Sequence, residues 1–115
     1  MGRLTTHVLD TAAGRPAVGL KVVLRRLDGG PHVIAEAVTN ADGRLDRPLL
    51  EGAAFVAGRY EIEFHAGDYF RARGAALPDP AFLDVIPIRF GMAEDAHYHV
   101  PLLVSPYACS TYRGS

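Results

Sequence analysis

The chain has 115 residues, a length that fits one domain with a single hydrophobic core. Hydrophobic residues make up 49% of it and charged residues 22%, a composition that is typical of globular proteins and argues against disorder or membrane-spanning structure. The formal net charge of −1 argues against binding to nucleic acid or to an anionic membrane surface, so any anion must be recognised by a local group of side chains.

The first residues and the cysteine content predict the compartment. Residues 1–7 lack the continuous apolar stretch of a signal peptide, and no run in the chain is long enough to span a bilayer. Cys109 is the only cysteine, which excludes an intrachain disulfide and any multi-cysteine metal site. We therefore expect a cytoplasmic protein in which Cys109 is a small packed residue rather than a reactive thiol.

Apolar residues recur with a period of two along most of the chain, which predicts β-strands. In the run from Tyr60 to Phe64 the apolar side chains of Tyr60, Ile62 and Phe64 share one face, and two glutamates take the other. Similar β-prone runs lie at residues 4–9, 20–27, 33–39, 82–90, 97–105 and 107–112. Together these runs predict seven or eight short strands.

Turn residues separate the predicted strands and fix the fold class. Gly, Pro, Asn and Asp are concentrated at residues 10–16, 28–31, 40–43 and 77–80. Strands at this regular spacing predict a β-sandwich. Residues 66–74 lack alternation, and with Asp68 near the start and Gly74 at the end they predict one short helix. We expect an all-β fold with one helix and a single domain over residues 1–115.

Histidine and arginine are the residues that can carry chemistry. His97 and His99 are two apart in a predicted strand, so they share a face at a separation of roughly 7 Å. Surface or core histidines, a metal site and acid–base catalysis are all compatible with this pair. His7 lies among β-branched and apolar neighbours, where histidine is usually structural. Arg44 follows the turn at residues 40–43, and it is either a solvated arginine or a bidentate clamp for a carboxylate or oxyanion.

Segments spread over nearly the whole chain carry a recognisable pattern. They are Thr6-His7-Val8-Leu9-Asp10, Gly14-Arg15-Pro16-Ala17, Asp42-Gly43-Arg44, Gly67-Asp68-Tyr69-Phe70, His97-Tyr98-His99-Val100-Pro101-Leu102-Leu103 and Ser110-Thr111-Tyr112-Arg113-Gly114-Ser115. Together they resemble the 5-hydroxyisourate hydrolases, the transthyretin-like enzymes of purine catabolism. The last four residues discriminate best, because transthyretin proper differs there and at the histidines. The chain departs from the family pattern at Ala108-Cys109, which affects local packing only.

The resemblance implies an architecture and a reaction. The architecture is a transthyretin-like β-sandwich of two four-stranded sheets with one short helix, assembled as a homotetramer, a dimer of dimers whose active sites lie in the channel between dimers. The reaction is hydrolysis of 5-hydroxyisourate to 2-oxo-4-hydroxy-4-carboxy-5-ureidoimidazoline in urate degradation, with no metal or cofactor. By position the resemblance assigns catalysis to His7, Arg44, His99 and Ser115, substrate binding to His7, Arg44, Tyr112 and Arg113, and a supporting role to His97.

The residue types suit this reaction, because hydrolysis of a ring amide needs an activated water and a stabilised oxyanion. We expect His7 and His99 to orient and deprotonate the water, and Arg44 to polarise the carbonyl and hold the anionic ring. Ser115 and Tyr112 then fix the substrate by hydrogen bonds.

Two alternatives stay open at this stage. The first is a transthyretin-like protein that binds a small hydrophobic ligand, although a channel with His7, Arg44 and His99 would be cationic rather than apolar. The second is a zinc hydrolase in which His7, His97 and His99 hold the metal with an open position for water.

Overall fold

The computed structural model describes all 115 residues, which form nine strands, one 3-10 turn and one helix. The strands are β1 Arg3–Asp10, β2 Arg15–Pro16, β3 Lys21–Arg26, β4 His32–Val38, β5 Leu50–Glu51, β6 Gly58–His65, β7 Val85–Met92, β8 His97–Ser105 and β9 Ala108–Thr111. The 3-10 turn spans Gly52–Ala54 and the helix α1 spans Ala66–Ala72. No helix combines the length and apolarity needed to cross a bilayer.

Two sheets pack face to face and confirm the predicted sandwich. The first sheet has the order β2-β1-β8-β9, with β5 also paired to β1, and the second has the order β4-β3-β6-β7. Strands β1 and β8 run parallel, from Arg3 opposite His97 to Asp10 opposite Val104, and the remaining pairs are antiparallel. The first sheet has five strands where four were expected, because the two-residue strands β2 and β5 add hydrogen bonds to β1.

Alternation along β1 and β8 decides which side chains reach the outer face of the first sheet. Leu4, Thr6 and Val8 are buried between the sheets, so Thr5 and His7 lie on the opposite, outer face. The same alternation on β8 buries the residues on either side of His99 and leaves both His97 and His99 outside. One face of this sheet therefore builds the core, and the other carries polar groups.

The core is one cluster of 20 buried residues contributed by both sheets and the helix. Tyr60, Ile62 and Phe64 are fully buried in it, as their spacing predicted. Glu61, on the other face of β6, is also buried, and its carboxylate accepts from Arg89 over 2.9 Å and lies 3.9 Å from Arg25. Burial of aromatic and branched side chains on this scale is the main source of stability for a domain of this size.

The helix and its flanking loop refine the predicted boundaries. Helix α1 begins at residue 66 as expected and ends at residue 72, with Gly74 just beyond it in the left-handed region at φ +88°. Asp68 lies in the first turn, and His65 occupies the N-cap. Strand β7 begins at Val85 rather than residue 82, because the backbone just before it bonds to the helix: the Gly67 amide donates to the carbonyl oxygen of Asp84 over 2.9 Å.

Strand β9 is exposed along its whole length in the single chain. Cys109 lies in this strand and is a free, exposed cysteine, so the expectation of a packed residue is wrong for the chain on its own. The reason is positional: β9 is the edge strand of the first sheet.

One polar pair is sealed inside the sandwich. Tyr69 of α1 donates to Oδ2 of Asp10 over 2.8 Å, and Oδ1 of the same carboxylate accepts from the Ala13 amide over 2.9 Å. Burial, together with the hydrogen bond to Asp10, raises the pKa of Tyr69 to about 12. The phenol therefore remains a hydrogen-bond donor throughout the neutral range.

Candidate active site

The parallel register of β1 and β8 places a threonine between two histidines. Thr5 is directly opposite His99, and its Oγ1 lies 2.8 Å from Nδ1 of His99. The same oxygen lies 3.0 Å from Nε2 of His97, and the centroids of the two imidazole rings are 6.4 Å apart. Both members of the His-x-His pair thus reach the same outer face, with His99 half-buried and His97 exposed.

A loop that crosses β1 brings His7 and Arg44 together. The amide of Val8 donates to the carbonyl oxygen of Gly43 over 2.8 Å, and His7 and Arg44 form a β-bridge. Gly43 has φ +73°, and a Cβ at this position would lie 2.5 Å from the carbonyl oxygen of Val8. Only glycine permits so close a crossing of the two backbones. The His7 ring centroid is 6.5 Å from that of His99.

The turn before Arg44 is held by Asn40. Its Oδ1 accepts hydrogen bonds from the amides of Asp42 and Arg44 over 2.9 Å and 3.2 Å, which is the local pattern that asparagine favours in turns. None of the ion pairs in the chain includes Arg44. The backbone of Arg44 is therefore held by the turn, and its guanidinium has no carboxylate partner.

The last residues pack against the histidines. The Gly114 amide donates to the carbonyl oxygen of His99 over 2.8 Å. A Cβ on Gly114 would lie 2.5 Å from Cδ2 of the His99 ring, so the absence of a side chain here leaves room for the imidazole. Ser115 then reaches the same cavity as His99.

The cavity on this face has a volume of about 320 Å³ and a polar lining. One of its eleven lining residues is hydrophobic, three are arginines (Arg3, Arg44 and Arg47) and one is acidic (Asp46), so cations outnumber carboxylates in the lining. Such a lining suits a small, polar, anionic molecule and argues against the alternative of a hydrophobic ligand.

Both half-buried histidines have a lowered pKa. Burial has the largest effect on His99, and the positive charge of Arg44 and the neighbouring His7 and His97 add to it. Burial and Arg44 lower the pKa of His7, while the backbone and carboxylate of Asp42 act in the opposite direction with smaller effect. Two neutral imidazoles near pH 7 can each accept a proton.

The structure brings together most of the residues that the sequence singled out, but not all. Tyr112 lines a separate groove between the sheets, next to Phe90. The Arg113 guanidinium stacks on the Tyr98 ring, with Cζ 4.1 Å from the centroid. Four predicted site residues line the cavity on the outer face: Arg44, His97, His99 and Ser115. His7 is not in the lining; it lies beside the cavity through its β-bridge to Arg44 and its ring contact with His99.

Sequence reasoning missed seven of the eleven lining residues, and Thr5, Arg3 and Arg47 are among them. Alternation along β1 already placed Thr5 on the side of His7. The missing information was the parallel pairing of β1 with β8, which sets Thr5 opposite His99 across 94 residues of chain.

The histidines are not arranged as a metal site. No group of three or more His, Cys, Asp or Glu side chains in the chain could hold a metal ion. The oxygen of Thr5 occupies the space between the facing nitrogens of His97 and His99. This arrangement argues against the zinc alternative.

Comparison with known proteins gives consistent matches over the full length. The model of the family described as HIUase/Transthyretin family matches residues 4–114. The chain is 66% identical to 5-hydroxyisourate hydrolase 2 of Rhizobium meliloti (strain 1021), over 99% of this chain and 97% of that protein. It is similar to the structure of Klebsiella pneumoniae 5-hydroxyisourate hydrolase, with a TM-score of 0.83, 38% identity and 100% of both chains covered. Sea bream transthyretin in complex with thyroxine is similar in fold, with a TM-score of 0.86, 29% identity and coverage of 97% and 94%.

Proposed function

The chain belongs to the HIUase/Transthyretin family, and from that premise we propose that its outer-face cavity hydrolyses 5-hydroxyisourate in urate degradation. The observation that carries the proposal is the grouping of His7 and His99, both of lowered pKa, with the unpaired guanidinium of Arg44. Hydrolysis of a ring amide needs a base for water and a cation for the developing oxyanion, and this grouping supplies both. The 115 residues act as one hydrolase domain.

The proposed chemistry uses side chains alone. His7 and His99 orient a water molecule, and the base removes one of its protons as the oxygen adds to the ring carbonyl carbon. Arg44 polarises that carbonyl and stabilises the negative charge on its oxygen. The ring C–N bond then breaks, and the proton held by histidine passes to the leaving nitrogen. The product is 2-oxo-4-hydroxy-4-carboxy-5-ureidoimidazoline, which carries the new carboxylate.

Substrate binding involves the last residues of the chain. We propose that Ser115 hydrogen-bonds the substrate in the cavity and that His97 supports His99. Tyr112 and Arg113 lie outside the cavity of their own chain, so in this proposal they contact substrate in the site of a neighbouring copy. Their present contacts, the groove beside Phe90 for Tyr112 and the ring of Tyr98 for Arg113, hold the tail in place.

We propose a homotetramer, a dimer of dimers, as the active assembly. The exposed edge strand β9 offers unpaired backbone groups that a second copy can pair with. The cavity lies on the outer face of its sheet, where a facing copy would exclude water from it. Light scattering should give a mass near four times 12.4 kDa, or about 50 kDa. A monomeric mass with full activity would contradict the proposal.

The location we propose is the cytoplasm. The exposed thiol of Cys109 has no disulfide partner in the chain, which suits a reducing compartment. Fractionation of cells that express the protein would test this directly, because recovery in an oxidising compartment would contradict it.

The decisive experiment follows the decay of freshly generated 5-hydroxyisourate by ultraviolet absorbance, with a chelator present, for the wild type and for His99→Ala. We expect fast decay with the wild type and a loss of about 10²- to 10⁴-fold in the variant, the range that general acid–base catalysis contributes. The melting temperature of the variant is its folding control.

Each other outcome of this experiment favours a different alternative. Loss of wild-type activity on chelation would support the zinc alternative. No acceleration over the spontaneous reaction would overturn the proposal, and tight binding of thyroxine by that same sample would support a transthyretin-like binding protein.

A further inference from the structure

The hydroxyl group of Thr5 is the only link between the two histidines of β8. Its oxygen lies 2.8 Å from Nδ1 of His99 and 3.0 Å from Nε2 of His97, both within hydrogen-bond distance. Among the hydrogen bonds of the chain, the His99 ring takes part only through Nδ1, so its other nitrogen, Nε2, has no partner. It is therefore the nitrogen that is available to water or substrate in the cavity.

A threonine hydroxyl carries one hydrogen, so it can donate to only one of two neighbouring nitrogens. If it donates to His99, the proton of neutral His99 resides on Nε2, and His97 donates its own Nε2–H to Thr5. If it donates to His97 instead, His99 donates Nδ1–H to Thr5, and Nε2 of His99 keeps its lone pair. The three groups therefore share one hydrogen-bond direction, and that direction sets the tautomer of His99.

We propose that Thr5 is a positioning residue that donates its hydrogen to His97 and thereby holds His99 in the Nδ1-protonated tautomer, with Nε2 free to act as the base. The choice between the two directions rests on the proposed function, because a base that faces the cavity needs a lone pair there. His97 has a defined part in this arrangement as the acceptor at the far end.

The arrangement also stabilises the charged state of His99. When Nε2 takes a proton from water, Nδ1–H remains directed at the Thr5 oxygen, which accepts from the imidazolium without any rearrangement. No bond has to reorient during proton transfer, because the threonine was already an acceptor from His99. The same logic holds for a carboxylate or carbonyl that orients a histidine ligand from its far side.

Thr5→Val tests the proposal, since valine keeps the shape and removes the hydroxyl, while Thr5→Ser keeps the hydroxyl. The first measurement is the tautomer of His99 from its imidazole ¹⁵N chemical shifts in the wild type and both variants. We expect Nδ1–H in the wild type and in Thr5→Ser, and a shift toward Nε2–H in Thr5→Val. An Nε2–H tautomer in the wild type, or a tautomer unchanged in Thr5→Val, would overturn the inference.

The second measurement is steady-state kinetics with 5-hydroxyisourate. We expect kcat to fall about 10- to 100-fold in Thr5→Val with KM nearly unchanged, in line with the loss of an outer partner of a functional histidine, and to recover in Thr5→Ser. His97→Ala should cost less, and Thr5→Val combined with His97→Ala should cost no more than Thr5→Val alone, because both act through one hydrogen-bond direction. Full additivity of the two losses would contradict the shared role.

Thr11→Val is the matched control. Thr11 lies in the turn after β1, and its hydroxyl donates to the carbonyl oxygen of Val104 on β8 over 3.1 Å, outside the cavity. It should leave both the tautomer of His99 and kcat unchanged. The two proposals fail in different ways. An inactive wild type with the expected tautomer contradicts only the proposed function. An active wild type whose kcat and His99 tautomer are unchanged by Thr5→Val contradicts only the role of Thr5.

Discussion

The two faces of the first sheet carry polar groups of opposite character. On the inner face, both carboxylate oxygens of Asp10 accept hydrogen bonds from donors within the chain, Tyr69 and the Ala13 amide. On the outer face, Nε2 of His99 makes no hydrogen bond within the chain and Arg44 forms no ion pair with a carboxylate. The inner pair is complete as it stands, whereas the outer group lacks partners that a bound molecule can supply.

The difference has an energetic meaning. A buried polar group that loses its partner still pays its desolvation penalty, so removal of either member of the inner pair lowers the free energy of unfolding. The outer group is half-exposed, and water satisfies it until substrate arrives, so its arrangement contributes little to stability. Substitutions on the two faces of the same strand and its neighbours should therefore separate stability from activity.

The largest expected effect is at Arg44. Arg44→Gln removes the cation that we place at the developing oxyanion, and kcat/KM should fall about 10²- to 10³-fold, with a melting temperature close to that of the wild type. Arg59→Gln is the control, because Arg59 is exposed and pairs with Asp28 away from the cavity. An equal loss of activity in both variants would show that net charge, and not the position of Arg44, is responsible.

A substitution at Gly114 tests whether activity depends on the room that this glycine leaves for the His99 ring. Gly114→Ala places a methyl group where the His99 ring lies, at 2.5 Å from Cδ2, so the imidazole must move. Because a misplacement of about 1 Å at a catalytic group can cost on the order of 10²-fold in rate, we expect a 10- to 100-fold loss in kcat.

Gly91→Ala adds the same methyl group at a position with nothing within 4 Å and serves as the control for Gly114→Ala. Wild-type kcat in Gly114→Ala would mean that the ring can adopt another productive position. The steric argument for glycine in the terminal tetrapeptide would then be wrong.

The sequence predicts the core between the sheets more completely than it predicts the site on the outer face of the first sheet. Alternation alone places Tyr60, Ile62 and Phe64 in the core and His97 with His99 on one side, because both follow from the local pleat. The position of Thr5 beside His99 depends on a parallel pairing across 94 residues, and no local pattern contains that information.

Arg44 and the strands of the first sheet show the same limit. The turn before Arg44 is readable in the sequence, yet its crossing over β1 depends on the fit of Gly43 against Val8 in the folded chain. Strands β2 and β5 have two residues each, too few for any period to appear. The roles of His7, Arg44 and Ser115 follow from the family resemblance and not from periodicity.

The inner pair should respond in the opposite way to the outer group. Tyr69→Phe removes one donor from the buried carboxylate of Asp10, and the free energy of unfolding should fall by about 1 to 3 kcal/mol. The rate per folded molecule should stay at the wild-type value. Chemical denaturation followed by fluorescence and by circular dichroism measures the first, and the hydroxyisourate assay below the unfolding transition measures the second. A loss of kcat equal to that of Gly114→Ala would mean that the two faces of the first sheet are coupled.

The smallest and most diagnostic effect is in the pH dependence. The lowered pKa of His99, caused by burial and Arg44, places the acid limb of kcat/KM below the ordinary histidine value of 6.5, so the enzyme should keep most of its activity at pH 6.5. Because these histidines favour the neutral form when folded, their contribution to stability is complete above 6.5 and is lost as the pH falls through the lower folded pKa.

The stability contributed by Tyr69 depends on pH in the opposite direction. Its pKa is raised from 10 to about 12, so the stability it contributes is complete below pH 10 and is lost as the pH rises toward 12. The loss of activity at acid pH should therefore depend on His99 on the outer face of the first sheet, and the loss of stability at alkaline pH on Tyr69 at its inner face. Tyr69→Phe should abolish only the alkaline loss of stability. If Tyr69→Phe shifted the acid limb of activity instead, the separation between the sealed pair and the open site would fail, because a proton on the outer face would then depend on a hydrogen bond in the core.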